Sequence, residues 1–164
     1  GDPQGWMTFP LKKPTGWNGL EIEECFHGTS MTALAPILRE GLKKPKRWNS
    51  AHGQCGSTSK QTIYLTPSWH YAAHPVYSPL HLVDLDSDAS EMCAFQMVLK
   101  CEVREGQYKR QPSTLGSKHW EIGLRIDPDR DTLDDMEYLV EEEGVVRVKE
   151  VMFRRFGKNS DPNI

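Results

Sequence analysis

An imidazole, a phenol and a carboxylate stand in three short strings: Phe26-His27-Gly28-Thr29, Thr62-Ile63-Tyr64-Leu65 and Met136-Glu137-Tyr138-Leu139-Val140. A carboxylate stabilises positive charge that develops beside it, an aromatic ring gives a flat ligand a face to stack on, and imidazole nitrogens hold hydroxyls. Taken singly, each has a plainer reading: His27 as a polar strand end, Tyr64 as a sheet-edge aromatic, and Glu137 as one carboxylate in the acidic run from Asp131 to Glu143. Their conjunction favours a site. His52-Gly53-Gln54-Cys55 is half a metal site without a second ligand pair, so no metal is expected. Cys25, Cys55, Cys93 and Cys101 form no Cys-x-x-Cys pair and read as free thiols of a reducing compartment.

The elements that must carry these strings follow from periodicity. The first 20 residues, with Pro3, Pro10, Pro14 and several glycines, read as an irregular arm packed on the body through Trp6 and Trp17, and residues 21–164 as the functional domain. Glu21 to Phe26 reads as a strand leading into His27. Thr32 caps a helix whose Leu34, Ile37, Leu38 and Leu42 recur at helical spacing and which Gly41 stops. Lys43 to Lys60 is loop chemistry with a basic start at Lys43, Lys44, Lys46 and Arg47. Thr62 to Leu65 is a short strand, Thr66-Pro67-Ser68 a turn with a helix cap, and Trp69 to Ala73 a short helix. Pro79 to Glu91 is acidic and poor in order signals. Ala94 to Val103 alternates apolar and polar residues as a long half-buried strand. A further strand is expected over Glu121 to Ile126, and Met136 to Val140 and Val145 to Phe153 read as two strands joined by a tight turn at Gly144. Strands outnumber helices, which predicts an α+β domain.

The chain has 164 residues, 37% hydrophobic and 26% charged, enough for one core without staples. Twenty Lys and Arg against 23 Asp and Glu give a net charge of −3, too weak a field to make nucleic acid the main partner. No apolar run is as long as a membrane span, so no membrane partner is expected and the chain reads as soluble. It opens on Gly1 with no initiator methionine, as an excised domain would.

In their order and separations the three strings resemble the His-Tyr-Glu motifs of the poly(ADP-ribose) polymerase catalytic fold, the diphtheria-toxin-like branch of the ADP-ribosyltransferases. The resemblance covers residues 22–156. Ile37-Leu38-Arg39-Glu40-Gly41-Leu42 is similar to the family segment after His-Gly-Thr, Met97 to Val103 to its central strand, and Glu137-Tyr-Leu-Val with Val145-Val-Arg-Val to its closing strands. The resemblance implies split antiparallel sheets around an NAD cleft with a few short helices. It also implies NAD as co-substrate, nicotinamide release, and transfer of ADP-ribose to a macromolecular acceptor, a protein in preference to nucleic acid, by an intracellular, cytoplasmic or nuclear monomer.

By the same resemblance Glu137, His27 and Tyr64 are the catalytic set. Cleavage of the nicotinamide–ribose bond places positive charge on the ribose, and Glu137 would sit near it, holding the 2′-hydroxyl. His27 would grip the adenosine ribose, with Gly28 and Thr29 beside it, and the Gly28 backbone would meet the nicotinamide amide. Tyr64 would stack on nicotinamide. The family's second stacking tyrosine and its serine have no ungapped match, so Tyr71 or Tyr77 supplies the second wall, and Ser68 is either a nicotinamide contact or a helix cap. Asp134 and Asp135, if close to Glu137, would disfavour its charge, and Lys43, Lys44, Lys46 and Arg47 would meet pyrophosphate or an anionic acceptor, or else form a solvated basic loop or a localisation signal. Two alternatives stay open: an arginine-type transferase using Ser57-Thr58-Ser59 and Glu141-Glu142-Glu143, and a silent binding module with the same fold.

Overall fold

The structure, a computed structural model, describes residues 5–45, 62–84, 92–114 and 135–156. Its elements run β1 (Trp6–Pro10), β2 (Ile22–Gly28), a 3₁₀ turn (Met31–Ala33), α1 (Leu34–Glu40), β3 (Ile63–Leu65), α2 (Trp69–Ala72), β4 (His81–Asp84), β5 (Met92–Arg104), β6 (Lys109–Gln111), β7 (Glu137–Val140) and β8 (Val146–Phe156). The larger sheet has the order β1-β8-β5-β2, with β4 sharing the β2 edge of β5, and the smaller sheet is β3-β7-β6. Every strand pair named here is antiparallel. An α+β architecture of mostly antiparallel sheets with few short helices is therefore what the molecule has.

The long strand explains why there are two layers. On β5, Met97, Leu99, Cys101 and Val103 face one core with Cys25, Val146 and Val151 of their own sheet and Ile63, Leu65, Tyr138 and Val140 of the smaller one. Val98 points the other way, against Trp6, Phe26, Ala72 and Met152. Each fully buried Met or Leu contributes about 1.5–3 kcal/mol. The expected half-buried strand is thus covered on both faces, which also buries Gln96 and Glu102. Arg147 bonds Glu102 at 2.7 and 2.5 Å, and Gln96 reaches backbone carbonyls, so neither polar group is stranded. Cys25 and Cys101 lie opposite each other on β2 and β5 as free thiols, pushed up in pKa by burial.

Four expectations need correction. The arm is not irregular throughout, because Trp6–Pro10 pairs with β8 as an edge strand, where proline is tolerated. It does pack through both tryptophans: Trp6 sits edge-on to Trp69 at 5.9 Å, and Trp17 lies between Arg104 and Arg147 at 5.3 and 5.6 Å. The acidic stretch after Pro79 contains a strand, His81–Asp84, recruited by the free edge of β5. Ser30, not Thr32, caps the first helical turn, its hydroxyl accepting from Thr32 N–H. Gly41 does end α1, at φ 78°, where a side chain would be strained. Leu34 and Ile37 reach the core, whereas Leu38 is 49% exposed.

The fourth correction matters most for function. The two closing strands do not form a hairpin: β7 belongs to the smaller sheet and β8 to the larger, so the Glu141–Val145 connection crosses between layers. The smaller sheet consequently meets the larger along a seam, and the chemistry-bearing strings lie on it. The strand expected over Glu121–Ile126 lies outside the described residues.

Candidate functional site

Among the described residues, one backbone pair stitches the seam. Phe26 N–H donates to the Thr66 carbonyl at 2.7 Å and Thr66 N–H to the Phe26 carbonyl at 2.9 Å, joining the end of β2 to the end of β3. His27 and Gly28 emerge just beyond this stitch. Tyr64 precedes it and alternates away from the core-facing Ile63 and Leu65. Since Tyr64 pairs with Leu139, Glu137 two residues along β7 shares the Tyr64 face, opposite Tyr138 and Val140. Ser68 then caps α2, accepting from Tyr71 N–H at 3.3 Å, and turns Tyr71 and Ala72 inward. The following turn is pinned by Gln96, which donates to the Ala73 and Ser78 carbonyls at 2.5 and 2.9 Å, and by the Ser78 hydroxyl on the Met97 carbonyl. That pinning fixes Tyr77.

Phe26, His27, Gly28, Tyr64, Leu65, Thr66, Tyr71, Ala72, Tyr77 and Glu137 line one cleft. The His27 Nδ1–H donates to the Tyr64 carbonyl at 2.7 Å, and burial pushes the imidazole pKa below its ordinary value. A neutral ring with Nδ1 so engaged leaves Nε2 as an acceptor. Gly28 is a glycine for a packing reason: a Cβ there would lie 2.2 Å from the Ala72 carbonyl oxygen and 2.6 Å from Tyr77 Cβ.

Glu137 is the most heavily bonded side chain of the cleft, 2% exposed. Its Oε1 accepts from Tyr71 at 2.6 Å, Tyr77 at 3.2 Å, the Thr114 hydroxyl at 2.6 Å and the Thr114 N–H at 3.1 Å. Its Oε2 accepts from Gln111 Nε2 at 2.6 Å. All these donors are neutral. The phenol of Tyr71 is pushed up to about 12 by burial and by the Glu137 charge, and that of Tyr77 is pushed up by burial and by Tyr71. Both therefore stay protonated and able to donate. Among the described residues, the arrangement holds a buried carboxylate by neutral hydrogen-bond donors alone.

Six of the residues singled out from sequence, His27, Gly28, Tyr64, Tyr71, Tyr77 and Glu137, thus converge, while Thr29 and Ser68 are not among the cleft lining. Of the two roles open to Ser68, the structure gives it the helix cap. Tyr71 and Tyr77 both reach the cleft, their ring centroids 5.2 Å apart. Sequence reasoning missed Gln111, Ser113 and Thr114. Their turn-rich context carries no signal, and they meet Glu137 or Tyr71 only through long-range contacts.

Other expected participants point elsewhere. Glu141 pairs with Lys109 at 2.7 Å, and Glu143 with Lys43 at 3.4 Å and the Lys44 N–H at 2.9 Å, all on the surface. Lys43 and Lys44 are thereby docked on the β7–β8 connection. Asp135 lies 4.0 Å from Arg110, which shares the Tyr138 face of the smaller sheet. Lys46, Arg47, His52, Cys55, Ser57 to Ser59 and Asp134 lie outside the described residues. Set against protein-family models and curated proteins, the chain matches none of them.

Proposed function

We propose that this chain is an ADP-ribosyltransferase of the His-Tyr-Glu type, using NAD as substrate and releasing nicotinamide. The observation that carries this reading is the convergence of His27, Tyr64 and Glu137, from three separate strands, on one cleft in which Glu137 has only neutral described partners. In this reading His27 Nε2 accepts an adenosine-ribose hydroxyl, and Tyr64 stacks on nicotinamide. Tyr77 supplies the second wall, since it is half-buried whereas Tyr71 is 2% exposed. Glu137 takes the 2′-hydroxyl of the nicotinamide ribose. Its charge stabilises the ribosyl cation as the bond to nicotinamide lengthens. Free buried thiols fit an intracellular setting. Thr29, beside this site, is half-buried and keeps only an expected role near the ribose.

A silent NAD-binding module is the second reading, favoured by the near-complete burial of Glu137 beneath its donors. Nicotinamide release by the purified chain and by Glu137→Gln separates the two. Release that the substitution removes supports the transferase. NAD binding without release from the unsubstituted chain supports the module.

A further inference from the structure

Among the described residues, the donors on Glu137 Oε1 include one aliphatic hydroxyl, that of Thr114. It donates to the carboxylate at 2.6 Å, within proton-transfer reach of a general base, and the Thr114 N–H bonds the same oxygen at 3.1 Å, so two bonds hold the hydroxyl in place. The neighbouring Ser113 hydroxyl instead meets Tyr71. Exposure separates the candidates further. Tyr71 is buried, whereas Thr114 is half-exposed in the irregular segment that follows β6 and the exposed Pro112. Glu137 also lines the cleft, which places the Thr114 hydroxyl one carboxylate away from it.

We infer that Thr114 is an ADP-ribose acceptor in cis, and hence that aliphatic hydroxyls of extended Ser/Thr segments are the acceptor class of this site. The inference rests on the transferase reading above. In the step it requires, the Thr114 oxygen bonds to C1′ of the nicotinamide ribose, and the C1′–N1 bond breaks with its electron pair passing to the pyridinium nitrogen. Nicotinamide leaves neutral, and the hydroxyl proton passes to Glu137 and on to solvent. The product is a threonine O-glycoside of ADP-ribose.

The test incubates the purified full chain with NAD and follows nicotinamide release, intact mass and the modified residue by fragmentation, over a range of protein concentrations. The expected result is one ADP-ribose unit on Thr114, formed at a rate per molecule that dilution leaves unchanged. Thr114→Val, nearly isosteric, loses that adduct, and Thr114→Ser regains it at the same position, which excludes misfolding as the cause of the loss. Nicotinamide release with free ADP-ribose as the sole product, with adducts only at other residues, or with a Thr114 adduct whose rate rises with protein concentration overturns the cis acceptor while leaving the transferase standing. Absence of nicotinamide release from the unsubstituted chain overturns the transferase reading, and the acceptor with it.

Discussion

Each face of the smaller sheet meets a carboxylate ringed by tyrosine hydroxyls, Glu137 of its own β7 on one side and Glu23 of β2, in the larger sheet, on the other, and the two clusters differ in whether a cation joins them. On the cleft face Glu137 receives Tyr71, Tyr77, Gln111 and Thr114, all neutral. On the opposite face Glu23 receives the Tyr108 and Tyr138 hydroxyls together with Arg110 Nη2 at 3.3 Å. There the two phenol rings stack at 4.5 Å, and the guanidinium lies 5.7 and 5.4 Å from their centroids. A cation makes the second cluster a closed structural unit, with its charge satisfied internally. Among the described residues the first has neutral hydrogen-bond donors and no cation, so the comparison turns on the charge that Glu137 presents to the cleft. Similar side chains thus produce a rivet on one face and a chemically receptive group on the other.

The strongest way to break this contrast is to remove the charge and keep the shape. Glu137→Gln is expected to lower nicotinamide release roughly 10²–10³-fold, the range for losing one preorganised electrostatic stabiliser. Steady-state release by both forms at saturating NAD is the measurement. Retained turnover would mean that the carboxylate stabilises no charge there. Gly28→Ala tests the opposite wall. Its Cβ meets backbone at 2.2 Å, so α2 must shift, with an expected cost of about 1–3 kcal/mol in urea unfolding. NAD binding should weaken with it, because Ala72 and Tyr77 line the cleft.

Smaller effects belong to the other face. Partial burial alone would raise the Glu23 pKa, but the Tyr108 and Tyr138 hydroxyls and the Arg110 charge outweigh it and hold the carboxyl below its ordinary 4.5. A depressed folded pKa means that the unfolded chain binds protons first on acidification. The stability Glu23 contributes is therefore present above 4.5 and lost as pH falls through the folded value. Glu23→Gln should cost about 1 kcal/mol at pH 7, because hydroxyls around a partly exposed site lose their charged acceptor. It should also flatten the acid limb of the stability–pH curve and leave nicotinamide release unchanged. A change in release would show that the two faces are coupled through β7.

How far the sequence anticipates this arrangement depends on whether the signal is local. The alternation around Met97 to Val103, the Thr-Pro-Ser turn whose serine caps α2, and the stop at Gly41 are set by neighbours in the chain, and all are legible in it. Strands β1 and β4 are not, because Pro10 and the acidic setting of His81–Asp84 weaken their own propensity and pairing with β8 and β5 supplies what is missing. The split of β7 and β8 between sheets is likewise hidden, since the turn at Gly144 would serve a hairpin equally well. Within the site, His27, Tyr64 and Glu137 are legible through their strings and Tyr71 and Tyr77 as candidate walls, but the other two donors on Glu137, Gln111 and Thr114, are marked only in three dimensions. The same is true of the Tyr64 carbonyl that occupies His27 Nδ1.

The smallest expected effect is the most discriminating among transferase types. An arginine-type site would place its working carboxylates at Glu141 and Glu143, yet these lie on the crossing connection, where Lys109, Lys43 and Lys44 engage them in solvent. Ion pairs so exposed are screened and contribute little. The double change Glu141→Gln/Glu143→Gln should therefore leave both the urea midpoint and the rate of nicotinamide release where they are, in the preparation where Glu137→Gln loses activity. A loss of release in the double variant, with folding intact, would move the chemistry off the cleft face and onto the connection between the sheets. The hydrogen-bonded cage around Glu137 would then be a second structural rivet.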